Sequence, residues 1–143
     1  MLRKLSLILA AVVCIVGLTA VVAKANIVAE PVVYEIAGQP YEGYFAINEG
    51  FGDDQPIVML IHDWNGIGDY EQRRVQMLAE RGYAAFAVDL YGQGVRPANP
   101  EESRAESSKL YADRATMRQR LAAGLAQAQT MAGVNPDQVV AMG

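Results

Sequence analysis

The sequence predicts an α/β domain of three layers: a mostly parallel sheet with helices on both faces and an antiparallel hairpin at its start. Three observations carry this. Ile57 to Ile61 and Tyr83 to Val88 are short unbroken apolar runs, the pattern of strands covered on both faces, as parallel sheets require. Each run ends abruptly in polar residues and glycines, His62-Asp63-Trp64-Asn65-Gly66-Ile67-Gly68 after the first and Asp89-Leu90-Tyr91-Gly92-Gln93-Gly94 after the second. Apolar residues at helical spacing follow each run, and strand–helix–strand connections of this length make right-handed crossovers between parallel strands.

The elements follow in order. Arg3 and Lys4, an apolar run from Leu5 to Val22 and the small-x-small triplet Ala23-Lys24-Ala25 make a secretory signal, with cleavage expected after Ala25. An uncleaved membrane anchor is the alternative, since the run nears the ~20 residues that span a bilayer. Val13 stands where a lipoprotein site needs a small residue, so Cys14 reads as an apolar residue of the signal.

Residues 26–143 are then one domain. Val32 to Ile36 and Tyr41 to Ile47 form an antiparallel hairpin around Gly38-Gln39-Pro40, lying on the sheet edge. Asn48 to Gln55 is a loop. A helix runs from Asp69, read as its N-cap, to Arg81, with Glu71, Val75, Leu78 and Ala79 on one face and Gly82 as its stop. A short helix is expected over Glu101 to Tyr111. A longer one, opened near Asp113, carries Met117, Leu121, Leu125, Ala128 and Ala132 at spacings of three to four and ends at Gly133. Asn135-Pro136-Asp137 is a turn, and Gln138 to Met142 a third buried strand.

Composition narrows the function. Past residue 25 there are nine Lys and Arg against 16 Asp and Glu, a surface that repels a phosphate backbone, so nucleic acid is not an expected partner. The same segment holds no cysteine and the single histidine His62, which removes disulfides and Cys-based metal sites, and no metal is expected. The glycines Gly66, Gly68, Gly92 and Gly94 do not form the Gly-x-Gly-x-x-Gly pattern of a dinucleotide site, and no cofactor is implied. In open parallel sheets ligands bind beyond the carboxyl ends of the strands, which points to His62 to Gly68. A tight turn eased by its two glycines explains the same residues without a ligand.

The ordered set His62-Asp63-Trp64-Asn65-Gly66, Arg81-Gly82-Tyr83-Ala84-Ala85, Asp89-Leu90-Tyr91-Gly92 and Val139-Val140-Ala141-Met142-Gly143 resembles the dienelactone hydrolases of the α/β-hydrolase fold, from about Val32 to the last residue. Arg-Gly-Tyr before a strand is widespread by itself; the series at matching spacings is what is specific. The resemblance implies that the strand ending at Gly143 leads into a nucleophile elbow, Gly-x-Cys-x-Gly, with Gly143 as its first glycine. The chain is then the N-terminal part of the domain, truncated before the elbow. Nucleophile, acid and histidine follow one another in that order in this fold, so the triad is absent from the chain and the fragment by itself is expected to be inactive.

What the resemblance assigns to this chain is the other wall of the site. The backbone N–H of Trp64 is the expected oxyanion donor. Asp63 stands where the family has a glutamate beside the nucleophile; it is one methylene shorter, and capping of the following segment is an equal reading. His62 is expected to pack and hydrogen-bond beside the oxyanion loop. Tyr91 and Gln93 are the expected substrate-binding residues, at a place where the family often has an arginine. Arg96 stands near enough in sequence to substitute, but a neutral Gln93 suggests that a carboxylate substrate is not strongly demanded. Ser103, Ser107 and Ser108 read as surface or cap residues.

Two functions remain. One is an exported hydrolase, periplasmic or secreted, that opens a small ester or lactone through an acyl-enzyme on Cys or Ser; an exposed cysteine outside the cytosol meets oxidation, which keeps serine open. The other is an exported non-catalytic α/β domain that binds a ligand in the same crevice. A membrane is a partner only if the signal stays attached.

Overall fold

The computed structural model describes residues 26–143; the expected signal lies outside the described residues. Five strands form one sheet: β1 (Ile27–Ile36), β2 (Gln39–Asn48), β3 (Gln55–Ile61), β4 (Ala84–Val88) and β5 (Val134–Met142), in the order β1-β2-β4-β3-β5. Three helices connect them: α1 (Asp69–Ala79), α2 (Pro100–Ala112) and α3 (Arg114–Gln129). β3 lies parallel to β4 and to β5, while β2 joins β4 antiparallel and carries β1 at the edge. This is the expected three-layer fold with its hairpin on the flank.

The hairpin turn is shorter than expected, and β2 starts two residues earlier. Ala37 and Gly38 occupy the turn with φ of 50° and 77°, and Gln39 and Pro40 already belong to β2. Positive φ at both central residues is the type I′ geometry, whose twist matches that of the paired strands.

Period-two alternation along β4 divides the core. Ala85 and Ala87 face α1, joining Ala46, Leu60, Val75 and Ala79. Ala84, Phe86 and Val88 face the other way, into a larger cluster with Tyr34, Tyr41, Ile57, Met59, Leu110 and Ala128. The stripe expected on α3 does pack there, with Met117, Leu121 and Leu125 against the cluster, but its closest point is Gly124. A Cβ on Gly124 would overlap Val88 Cγ2, so α3 reaches β4 only because that position has no side chain.

Helix ends follow from their caps. Asn99 accepts from the amides of Glu101 and Glu102, each at 3.0 Å, with Pro100 behind it, and Asp113 accepts from Thr116 N–H at 3.0 Å. The expected cap of α1 needs correction. Gly68, not Asp69, is the N-cap, and the bond runs backwards: Gly68 N–H donates to Glu71 Oε2 at 2.8 Å. Glu71 is thereby drawn inside, 2% exposed.

β5 is also corrected. It is not a buried strand: it is the sheet's second edge among the described residues, with Val140 60% exposed. It starts at Val134, and the expected Asn135-Pro136-Asp137 turn lies inside it. Pro56 pairs with Asn135 and the next residue, Ile57, with Val139; Asp137 N–H turns back to Asn135 Oδ1 at 3.0 Å.

Candidate active site

Two loops meet at the carboxyl ends of β3 and β4. His62 joins them. Its ring is 8% exposed; Nδ1–H donates to the Asp63 carbonyl at 2.6 Å and Nε2 accepts from Leu90 N–H at 3.2 Å. An amide can only donate, so Nε2 carries no proton and the imidazole is neutral. Burial lowers the His62 pKa in the same sense, overcoming the Asp63 carbonyl and the Asp89 and Glu71 carboxylates, which favour the charged form. His62 is therefore a stitch between two loops, as expected of it, and both ring nitrogens are occupied.

The Asp63–Gly66 turn closes with Gly66 N–H donating to the Asp63 carbonyl at 3.1 Å, Gly66 at φ +79°. It lifts Asp63, Trp64 and Asn65 into solvent, Trp64 at 46% exposed. The Trp64 carbonyl is held by the Tyr91 hydroxyl at 2.8 Å, while its amide meets no acceptor among the described residues. Tyr91 in turn packs against His62 with its ring tilted by 58°, ring centroids 4.7 Å apart, and covers Gly66. Burial, with help from the Glu106 carboxylate, pushes the Tyr91 hydroxyl up to about 12, so it stays a hydrogen-bond donor.

The loop that carries Tyr91 is organised by Asp89, which is fully buried. Its Oδ1 accepts from the amides of Tyr91 at 2.9 Å and Gly92 at 3.1 Å, and its Oδ2 from Glu42 N–H at 3.0 Å. Asp89 is a site residue beyond those expected from the sequence. Its signal was present, an aspartate two and three residues ahead of the amides it binds, at the end of a strand and before glycines.

Asp63, Trp64 and Tyr91 line one cleft of about 210 Å³ together with His62, Leu110 and Tyr111. Gln93 does not. Its amide N–H donates to the Pro40 carbonyl and its side chain to Glu42 Oε2 at 3.1 Å, which places it on the hairpin side. Arg96 is on that side too, 3.6 Å from Glu42 and 3.9 Å from Asp89, and donates to the Glu42 carbonyl at 3.1 Å. Of the three serines, Ser108 is exposed as expected, but Ser103 is buried with its hydroxyl on the Asn99 carbonyl, and Ser107 lines the cleft.

A second hollow, about 160 Å³, opens on the other side of Ile61 and Asp63. Gly143, Met142 and the buried Glu71 line it, so Asp63 and the end of β5 face one space. Among the described residues no group of His, Cys, Asp and Glu has the arrangement of a metal site.

The sequence model of the dienelactone hydrolase family matches residues 41–143. A dienelactone hydrolase-like promiscuous phosphotriesterase from metagenomic libraries superposes with a TM-score of 0.76 at 27% identity, covering 82% of this chain and 48% of its own. The protein m3DLH gives 0.76 at 28%, covering 80% and 48%. A dienelactone hydrolase from Anabaena variabilis gives 0.54 at 19%, covering 80% and 50%, which speaks to the fold alone. The chain thus spans about half the length of these structures, and no curated protein matches it. With the family match over most of the chain and the same fold around it, this chain belongs to the dienelactone hydrolase family.

Proposed function

We propose that this chain supplies the oxyanion wall of an exported hydrolase of esters or lactones, and that the nucleophile and the triad acid and histidine lie in sequence following Gly143. The observation that carries the reading is the position of Gly143, at the end of β5, across one hollow from Asp63 and next to the loop whose Trp64 amide meets no acceptor among the described residues. The half-length coverage of the related structures agrees with it.

In this reading a serine hydroxyl or cysteine thiol just past Gly143 attacks the carbonyl carbon. The carbonyl oxygen takes up the negative charge and meets Trp64 N–H, a donor worth about 10²–10³ in rate because the charge exists only in the tetrahedral stage. The histidine takes the nucleophile's proton during the attack and passes it to the leaving oxygen as the C–O bond breaks; water, deprotonated by the same histidine, then attacks the acyl-enzyme, which releases the carboxylic acid and returns the proton to the nucleophile. Tyr91 is a positioning residue here, since its hydroxyl holds the Trp64 carbonyl and thereby the plane of the neighbouring peptides. Export rests on the signal pattern of residues 1–25.

The test is the residues encoded after Gly143 and the activity of the protein that includes them. Gly-x-Cys-x-Gly or Gly-x-Ser-x-Gly, a later aspartate and histidine, and hydrolysis of p-nitrophenyl acetate that disappears when the nucleophile becomes alanine are expected. A continuation without them defeats the hydrolase reading.

A further inference from the structure

The residue just ahead of β1 is fastened at three points. Asn26 N–H donates to Asn48 Oδ1 at 3.1 Å, its carbonyl accepts from Glu49 N–H at 3.0 Å, and its Nδ2–H donates to Glu49 Oε2. Asn48 ends β2 and Glu49 opens the single 3-10 turn that follows it. Both acceptors are fixed independently of Asn26. Asn48 is 3% exposed; its Oδ1 also accepts from Gly50 N–H at 3.0 Å, and its carbonyl accepts from the Nε2–H of the buried Gln55 at 2.8 Å.

The charges at this corner are acidic. Glu49 shares a hollow of about 310 Å³ with Glu30 of β1 and Asp53 of the loop before β3. On that side α3 meets β1, and the chain carries no charged residue between Arg120 and Gly133. On the other face α1 packs on β1 and β2, and Arg81, just past its end, is turned onto the Met77 carbonyl at 2.7 Å. Three strands separate this edge of the sheet from β5, beyond which the proposed nucleophile lies.

Cleavage after Ala25 puts a new group here. Hydrolysis of the Ala25–Asn26 peptide adds the OH of water to the Ala25 carbonyl carbon and its H to the Asn26 nitrogen, and the proton of the new carboxyl moves to the new amine. The nitrogen 3.1 Å from Asn48 Oδ1 thereby becomes an ammonium with three protons. A hydrogen bond from a charged donor is roughly twice as strong as a neutral one. The Glu49 carboxylate, held by the side chain of the same residue, lies within the Debye length of about 8 Å and favours the charged form.

We propose that Asn48 and Glu49 form a socket for the α-ammonium group that signal removal releases at Asn26, so that processing locks the start of β1 to the end of β2. The proposal rests on the export reading and on cleavage after Ala25.

The test uses the whole protein, with the residues encoded after Gly143, recovered from the periplasm of an expressing bacterium. Its first residue, read by mass spectrometry, should be Asn26. Trace acetylation with acetic anhydride from pH 6 to 10 then reports the pKa of the α-amine, because only the neutral amine reacts; a midpoint above the ordinary range of about 7.7–8.0 is expected. Glu49→Gln keeps an acceptor for Asn26 Nδ2–H and should bring the midpoint back into that range, raising the acetylation rate at pH 7.5 by about threefold or more. A form made in the cytosol with an extra Met ahead of Asn26 moves the charge off the socket; it should melt about 2 °C lower at pH 7 and level with the processed form at pH 10. An amine midpoint in the ordinary range, a midpoint that Glu49→Gln leaves unmoved, or equal melting at pH 7 overturns the socket and leaves the export reading standing. A first residue other than Asn26 overturns the proposal alone, and recovery with residues 1–25 attached overturns both.

Discussion

The Tyr91 hydroxyl donates to the Trp64 carbonyl oxygen across 2.8 Å, so the loop after β4 holds the turn after β3 by its backbone. The Tyr91 ring lies on His62, whose two nitrogens bind those same two loops, and the three residues form one unit. The turn presenting the Trp64 amide, the proposed oxyanion donor, is thus held by Tyr91 and His62.

Replacing Tyr91 by phenylalanine keeps the ring and removes the bond. Stability should fall by about 0.5–1.5 kcal/mol in urea unfolding, the usual worth of a neutral hydrogen bond. Trp64 emission should change with it as the turn loosens. A variant identical to the parent in both measurements would show that the bond does not hold the turn.

His62 makes stability depend on pH with a definite sign. The folded-state pKa is lowered below the ordinary value near 6.5, so below that pH the unfolded chain binds a proton that the native ring refuses. Its contribution is complete above about pH 7 and shrinks as pH falls through about 6.5. Denaturation midpoints between pH 7.5 and 5.5 should fall more steeply for the parent than for His62→Gln. Parallel slopes would contradict the neutral, doubly bonded ring.

Gly124→Ala tests the contact of α3 with β4. Alanine normally favours a helix by about 1 kcal/mol over glycine, yet here the added methyl overlaps Val88. Overpacking of about 1–3 kcal/mol set against that gain leaves an expected net loss of up to about 2 kcal/mol. A stabilised variant would mean that α3 can withdraw from the sheet without penalty.

Ala37→Gly should act the other way. Ala37 holds φ at 50°, a conformation that costs an L-residue about 1 kcal/mol and glycine almost nothing. A gain of about 0.5 kcal/mol is expected after the greater freedom of glycine in the unfolded chain is set against it. A fall in the thermal midpoint would reject this account of the turn.

Much of the fold was readable because its causes are local. Alternation in β2, the apolar runs of β3 and β4, and the helix opening at Asp113 act over a few neighbours, and these elements lie where their patterns put them to within a residue or two, whereas Asn99 as the cap of α2 was not read from the sequence. The turn at Ala37 was missed because alanine carries no signal for positive φ, and Gly68 displaced Asp69 as a cap because Glu71, three residues on, bonds its amide.

The site divides along the same line. The sequence by itself determined that polar, glycine-bearing loops end two parallel strands, and that His62, Asp63, Trp64 and Tyr91 stand in them, since strand ends and breakers are adjacent in the chain. The tertiary structure decided the strand order, the exposure of β5, the Tyr91–Trp64 bond across 27 residues, and the removal of Gln93 and Arg96 to Glu42, some 50 positions away. Those partners are chosen by how the strands lie side by side. Residue spacing along one chain carries no record of that choice.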